Sequence, residues 1–193
     1  MNSYEGPEAA ALFKRYLETI EAESDRGAVL VGAALLDDAL EKILRKKLVP
    51  PLKSEDSLFD GGYSPLRSFA AKIELAFRLG LITRNTKQML NIVRSLRNLF
   101  AHNTENVSLF DDQASDRLKT AYLHMSQIYV AIIGTIREIA AAQQSSLSVD
   151  ELLESESGRR SIIDIFFASN AMALRRVELE VETIAELKDR PQP

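Results

Sequence analysis

The stretch RGAVLVGAALLDDALEKILRKKL, residues 26–48, carries apolar side chains at the spacing of an α-helix. At about 100° per residue, one stripe of the helix collects Val29, Leu30, Ala33, Leu36, Leu40, Ile43 and Leu44. Ser24 or Asp25 can cap its start, and the basic residues at its end precede Pro50 and Pro51. The pattern predicts a long amphipathic helix with one face in a core.

The same helix contains Gly27 and Gly32 among several alanines. Glycine in a helix interior costs about 1 kcal/mol relative to alanine, so its use indicates close approach of another backbone or side chain. Packing within the chain is the simpler interpretation, and contact with a second copy is the alternative.

Helix signals continue on both sides of this segment. Pro7 opens a helix over residues 7–23, and Ser64 with Pro65 predicts the start of another that ends at Gly80. Thr83 can cap a fourth helix over residues 84–102.

The remaining third of the chain has the same character. A long helix is expected from about Gln113 to Gln144, and a capping box of Ser148 and Glu151 predicts a last helical segment. We expect that segment to break at Gly158, to resume through residue 188 and to end in a frayed tail. No alternating strand pattern is evident, so we predict an all-α fold, an antiparallel bundle of about six helices in a single domain over residues 1–193.

Composition excludes several classes of function. The chain has 193 residues, 46% of them hydrophobic, and no cysteine, so disulfides and thiolate metal sites are excluded. No apolar run is long enough to span a bilayer, and no phosphate-binding glycine loop is present. We expect a cytoplasmic protein with no cofactor, no metal and no membrane contact.

Charge is distributed unevenly along the chain. The net charge is −4, yet the span from Arg67 to His102 holds seven basic side chains against Glu74 alone, a net charge of +6 that leaves −10 for the rest. This span either forms an electropositive surface that meets phosphates or pairs with acidic groups on neighbouring helices.

The fourth helix ends in RSLRNLFAHN, residues 94–103, and has two contrasting faces. Its polar half holds Lys87, Asn91, Arg94, Arg97, Asn98 and His102, opposite Met89, Ile92, Val93, Leu96, Leu99 and Phe100. Because the apolar set can supply the core contacts, the polar set is surplus to folding. It forms either a solvated face or a surface for a phosphate or a partner, with Lys87, Asn91 and Arg94 as its contacts.

The pattern R-N-x-x-x-H, formed by Arg97, Asn98 and His102, resembles the signature of HEPN domains, helical bundles that include metal-independent ribonucleases. Histidine can take a proton from a ribose hydroxyl, arginine can stabilise charge on a phosphate, and the asparagine can orient the site. Arg97 and His102 diverge by about 140° on an ideal helix, so one chain cannot easily aim both at one phosphate. The resemblance implies a two-fold dimer whose cleft unites both sets.

A longer resemblance covers residues 24–44, 58–82 and 92–103, including LFDGGYSPLRSFAAKIELAFRLGLI. In this order and spacing the segments are similar to the mannitol operon repressor family, MltR. The resemblance implies an all-helical bacterial regulator of mannitol uptake and use.

The third and fourth helices are the candidate helix-turn-helix pair, but the second of them is long and strongly apolar on one face. We therefore expect no direct sequence-specific DNA binding. The leading hypothesis is a transcriptional regulator, not an enzyme, that acts through a protein partner and as a homodimer. A dimeric HEPN-type ribonuclease or an RNA-binding protein is the alternative.

Asp37 lies at the border of the apolar stripe of the second helix. A carboxylate buried there without a partner would cost several kcal/mol. We hypothesise a structural ion pair between Asp37 and Arg94 or Arg97, the nearest surplus of positive charge in the pattern.

Overall fold

A computed structural model describes residues 6–102, 108–124 and 156–187, without the side chains of 122, 123 and 157. Within these residues the regular structure is helical and no strand occurs, which confirms the predicted all-α bundle. The helices are α1 (Pro7–Glu21), α2 (Asp25–Lys47), α3 (Phe69–Arg78), α4 (Arg84–His102), α5 (Asp112–Leu123) and α6 (Glu156–Glu180).

Helix α2 is the centre of the bundle. It packs against α1, α3, α4 and α6, while α5 packs against α4, and α6 also packs against α1. Its stripe residues Leu36, Leu40, Ile43 and Leu44 are fully buried, and all six helices contribute side chains to the same core. The apolar stripe predicted for residues 26–48 is therefore the surface against which the other helices pack.

Helix α6 packs closely against α2 at Gly32. A Cβ on Gly32 would overlap the ring of Phe167, which is fully buried. Phe166 stacks edge-on against that ring, with centroids 5.3 Å apart. The small residues of α2 thus serve packing within the chain at this point, as the simpler interpretation predicted.

Local signals set several helix ends as expected. The Ser24 hydroxyl accepts a hydrogen bond from the Gly27 backbone N–H at 3.2 Å, and the Thr83 hydroxyl accepts one from Thr86 at 3.1 Å. Gly80, with φ of +71°, lies just after α3, in the left-handed conformation that glycine adopts without strain.

The start of α3 is not at Pro65, which corrects the prediction. The helix begins at Phe69, capped by Ser68, whose hydroxyl accepts from the Ala71 backbone N–H at 3.1 Å. The Leu66 N–H instead donates to the Leu58 carbonyl at 2.9 Å, and the Ser64 hydroxyl donates to the Phe59 carbonyl at 3.0 Å. Because these bonds hold residues 64–66 in the preceding loop, the first turn of helix forms four residues later.

The last helix also differs from the prediction. It runs without a break through Gly158, which is buried, and it ends at Glu180 rather than at residue 188. Beyond it, the Ile184 N–H donates to the Lys47 carbonyl at 2.9 Å and the Thr183 hydroxyl to the Lys46 carbonyl at 2.7 Å. The segment leaves the helix because it satisfies the free carbonyls at the end of α2.

Helix α5 begins at Asp112, next to the predicted start, and is described as far as Leu123. The expected continuation to Gln144, the capping box of Ser148 and Glu151, and the tail after residue 187 lie outside the described residues.

Arg160 of α6 connects three helices at one end of the bundle. Its guanidinium donates to Asp25 at 3.0 Å, to Asp164 at 2.8 Å and to the carbonyls of Ile20 and Glu23, each at 2.9 Å. One side chain therefore satisfies the end of α1, the start of α2 and a buried carboxylate of α6. Burial raises the pKa of Asp164 above its ordinary value, although Arg160 opposes that rise.

We expect Gly32→Ala to destabilise the protein by roughly 1–2 kcal/mol, because the strain of overpacking against Phe167 exceeds the gain in helix propensity. Urea denaturation followed by circular dichroism measures the change. Gly62→Ala is the control, since a Cβ at Gly62 meets no atom within 4 Å. The explanation requires the penalty of Gly32→Ala to shrink in a Phe167→Leu background; an equal penalty in both backgrounds would contradict it.

Candidate functional site

Helix α4 separates a buried face from an outward face. Met89, Leu90, Val93, Leu96 and Phe100 are buried in the core, and the 19 residues of the helix include no aspartate or glutamate. The buried face differs from the prediction at three positions. Leu90 is fully buried, whereas Ile92 and Leu99 are only partly covered. The face shifts because α4 is packed by α2, α3 and α5 from different sides.

The three residues expected to form a phosphate or partner surface have different environments. Lys87 pairs with Glu74 at 2.6 Å and lies 4.5 Å from the centroid of the Phe77 ring, so its charge is engaged by α3. Asn91 donates to the Lys87 carbonyl at 3.0 Å. Arg94 is half-buried, and its Nε is a buried donor without a hydrogen-bond acceptor. Of the two cations, only Arg94 has no carboxylate partner among the described residues.

Arg97, Asn98 and His102 are all exposed at the end of α4. In the part of the chain that the structure describes, their side chains form no hydrogen bond or ion pair. Among the described residues, the three groups therefore lie on the solvent-exposed surface of α4. The dimeric arrangement implied by the HEPN resemblance therefore stays a prediction.

A groove of about 310 Å³ runs between α4 and α5. It is open to solvent, and the side chains that line it are Asn91, Ile92, Ser95, Asp116, Arg117 and Thr120. The Thr120 hydroxyl donates to the Asp116 carbonyl within α5 at 2.7 Å. The groove combines an apolar wall with amide, hydroxyl and guanidinium groups, a set suited to a polar ligand or a peptide segment.

Asp37 does form an ion pair, but its partner is Lys72 of α3, not Arg94 or Arg97. The Nζ of Lys72 lies 2.6 Å from Asp37 Oδ1 and 2.8 Å from Glu41 Oε2. Lys72 is only 4% exposed. The hypothesis was right that the carboxylate is paired and wrong about the cation, because α3 reaches this part of α2.

The pair continues into a network toward the loop after α2. Glu41 also accepts from Arg45 Nε at 2.9 Å, and Arg45 reaches Asp56 at 3.3 Å and Asp60 at 2.5 Å while stacking over the Phe59 ring. Six charged groups thus hold the loop against α2 and α3, at the end of the bundle away from Arg160.

Protonation states in this network follow from its pairing. Burial lowers the pKa of Lys72, but the hydrogen bonds and charges of Asp37 and Glu41 outweigh it, so the pKa lies above its ordinary value. Burial raises the pKa of Glu41, yet Lys72 and Arg45 outweigh that effect and leave it lowered. Lys72 and Glu41 are therefore both charged near neutral pH, as a structural ion pair requires.

A sequence signal for Lys72 existed. On α3 it shares the apolar stripe of Phe69, Ile73 and Ala76, as Asp37 shares that of α2. Opposite charges placed in two apolar stripes indicate that the stripes face each other. Lys72 belongs to the basic span from Arg67 to His102, and for this residue the alternative of pairing with acidic groups on a neighbouring helix is the one that holds.

Two further classes of site receive no support. Within the described ranges, no group of three or more histidines, cysteines or carboxylates is placed to hold a metal ion. Of the helices that the structure describes, none is long and apolar enough to cross a membrane.

The fold and site define an all-α bundle with a carboxylate-free helix beside an open groove. No protein-family model matches the chain, and no curated protein matches it. Among solved structures, the chain is similar to one chain of the X-ray structure of the MtlR-HPr complex from Escherichia coli. The sequences are 15% identical, and the match has a TM-score of 0.56 over 87% of this chain and 99% of the other. At this identity the likeness establishes the fold that the two share.

Replacing Lys72 by methionine should destabilise the protein by roughly 2 kcal/mol, because Asp37 is left half-buried without its cation. Lys42→Met is the matched control, since Lys42 pairs with Asp38 on the exposed side of the same central helix, and the expected loss is below about 0.5 kcal/mol. Urea unfolding at neutral pH compares the two variants. Equal losses would show that the buried pair contributes no more than an exposed one.

Proposed function

We propose that this chain is a bacterial transcriptional regulator similar to the mannitol operon repressor, which acts by binding a protein partner. The observation that carries the proposal is the shared fold with a chain of the MtlR-HPr complex, a structure that contains a protein partner. The sequence resemblance over residues 24–103 supports the same class of regulator. HPr from the organism that encodes this chain is accordingly the first partner to test.

A protein partner fits the structure better than direct reading of DNA. A recognition helix must free the side chains of its first turns to reach base edges. In α4, Lys87 is held by Glu74 and Phe77, and Met89 and Leu90 are in the core. Lys87, Met89 and Leu90 are therefore unavailable to a major groove, and the exposed side chains of the first turns are Arg84, Asn85 and Gln88.

Isothermal titration calorimetry of the full chain with HPr tests the proposal. We expect a saturable complex, and sedimentation velocity on the free chain should show a homodimer. An unrelated acidic protein of similar size serves as the control for non-specific attraction. If HPr gives no more heat than this control while the chain is folded, the proposed partner is wrong.

The ribonuclease alternative rests on one observation: Arg97, Asn98 and His102 are exposed and unpaired among the described residues, so a second copy could meet them. A regulator that acts by protein contacts should not cleave mixed single-stranded RNA in EDTA. The parent is compared with Arg97→Ala and His102→Ala. Cleavage by the parent that both variants lose would overturn the regulatory proposal in favour of a nuclease.

A further inference from the structure

Among the described residues, three arginines on and beside α4 have no acidic partner, and we call them the arginine face: Arg84 and Arg94 of α4, and Arg117 of α5. Arg97 is unpaired as well, but on an ideal helix it projects roughly 160° away from the groove-lining side of α4 and is not part of this face. No salt bridge or side-chain hydrogen bond involves any of them within the part of the chain that the structure describes. By contrast, the basic residues Arg45, Lys72, Lys87 and Arg160 all pair with carboxylates. Within the described residues, the acidic groups are thus paired elsewhere and these guanidinium groups have no carboxylate partner.

Arg94 carries an unsatisfied donor within this face. Among the described residues its buried Nε has no acceptor, although a buried guanidinium N–H normally finds one. Leaving such a donor unsatisfied is unfavourable, and a carboxylate or phosphate supplies an acceptor when the half-buried side chain turns outward. Surface charge alone would not single out this position.

The α4–α5 groove gives the face its shape. Arg117 lines it together with Asn91, Ser95 and Ile92 of α4. On an ideal helix, Arg84, Asn91 and Ser95 project in nearly the same direction, with Arg94 at their edge. A segment lying in the groove would therefore meet cations along its length and an apolar wall at Ile92.

The chemistry of the face favours a protein segment over a nucleic acid. Single-stranded nucleic acids bind by stacking bases on exposed aromatic rings as well as through phosphates. Among the described side chains of α4 and α5, the one phenylalanine, tyrosine or tryptophan is Phe100, which is buried. Two rings nearby are covered by cations: Phe77 by Lys87 at 4.5 Å and Phe110 by Arg159 at 5.6 Å.

Asp116 supports the same choice. It lines the groove beside Arg117, and its nearest cation, Lys119, is 3.8 Å away on the exposed side of α5. A phosphate backbone carries a negative charge at every nucleotide and would pass this carboxylate unfavourably. A peptide can place acidic side chains opposite the arginines and an uncharged one opposite Asp116.

We propose that the arginine face, with the α4–α5 groove at its centre, is the docking surface for an acidic segment of a partner protein. The inference rests on the proposed function, in which this chain acts by binding proteins, and it adds the surface and the chemistry of the partner. Bidentate pairs between guanidinium and carboxylate groups supply the specificity. Ile92 and the aliphatic stems of the arginines contact the apolar positions of the segment.

Fluorescence anisotropy on the full chain tests the proposal with two labelled probes of equal formal charge, a glutamate- and leucine-rich peptide and single-stranded oligo-uridylate. We expect the peptide to bind more tightly than the RNA, with an affinity that falls as salt is added. The double variant Arg84→Glu with Arg117→Glu should weaken peptide binding by about tenfold or more. The matched control is Lys14→Glu with Arg15→Glu on α1, which changes the net charge equally and should leave binding nearly unchanged.

Other binding results would overturn or change the proposed docking surface. Absence of peptide binding, or equal losses in the two double variants, would overturn the assignment of the surface. Tighter binding of the RNA, lost in the Arg84 and Arg117 variant, would replace the acidic protein segment with a nucleic acid. The HPr titration is read separately: a peptide that binds while HPr does not would remove the proposed partner and leave the arginine face in place.

Discussion

The approach of α6 to α2 at Gly32 is the constraint on which the rest of the bundle depends. Phe167 occupies the space where any other residue would place a side chain, so α6 can cover α2 along its length. Because α6 covers that side of α2, the rest of the apolar stripe of α2 packs against α1, α3 and α4. The position of α4, and hence of the candidate site, follows from this arrangement because α4 packs against the remaining side of the central helix.

The two ends of α2 are held by different chemistry. Near its start, Arg160 joins three helices through carboxylates and backbone carbonyls. Near its end, Lys72, Glu41 and Arg45 connect α2 to α3 and to the following loop. Buried ion pairs of this kind are costly to desolvate and contribute less to net stability than their number suggests. Their effect here is on specificity, since they fix which helix lies against which.

This use of charge determines what the surface can do. The acidic groups near the bundle core are taken up by Lys72, Arg45 and Arg160, and Lys87 is held by Glu74. The basic span between Arg67 and His102 is therefore less electropositive than its sequence suggests, and its free charge is concentrated in arginines. Free arginines beside an open groove suit planar, bidentate recognition of carboxylates better than diffuse attraction to a polyanion. Because ion pairs reduce the positive charge of this span, the prediction of phosphate contacts, which rests on its composition, has less support.

The sequence by itself determined the helical class, the faces of α2 and α4, and the caps at Ser24, Thr83 and Gly80. These features follow from interactions within one or two turns of chain, which the order of residues specifies directly. It also placed Arg97, Asn98 and His102 on a polar surface, although it could not show whether a cleft encloses them. Tertiary structure alone decided the start of α3, the passage of α6 through Gly158, the burial of Leu90 and the pairing of Asp37 with Lys72. Each of these depends on contacts between residues far apart in the chain, whose geometry exists only after the helices have packed.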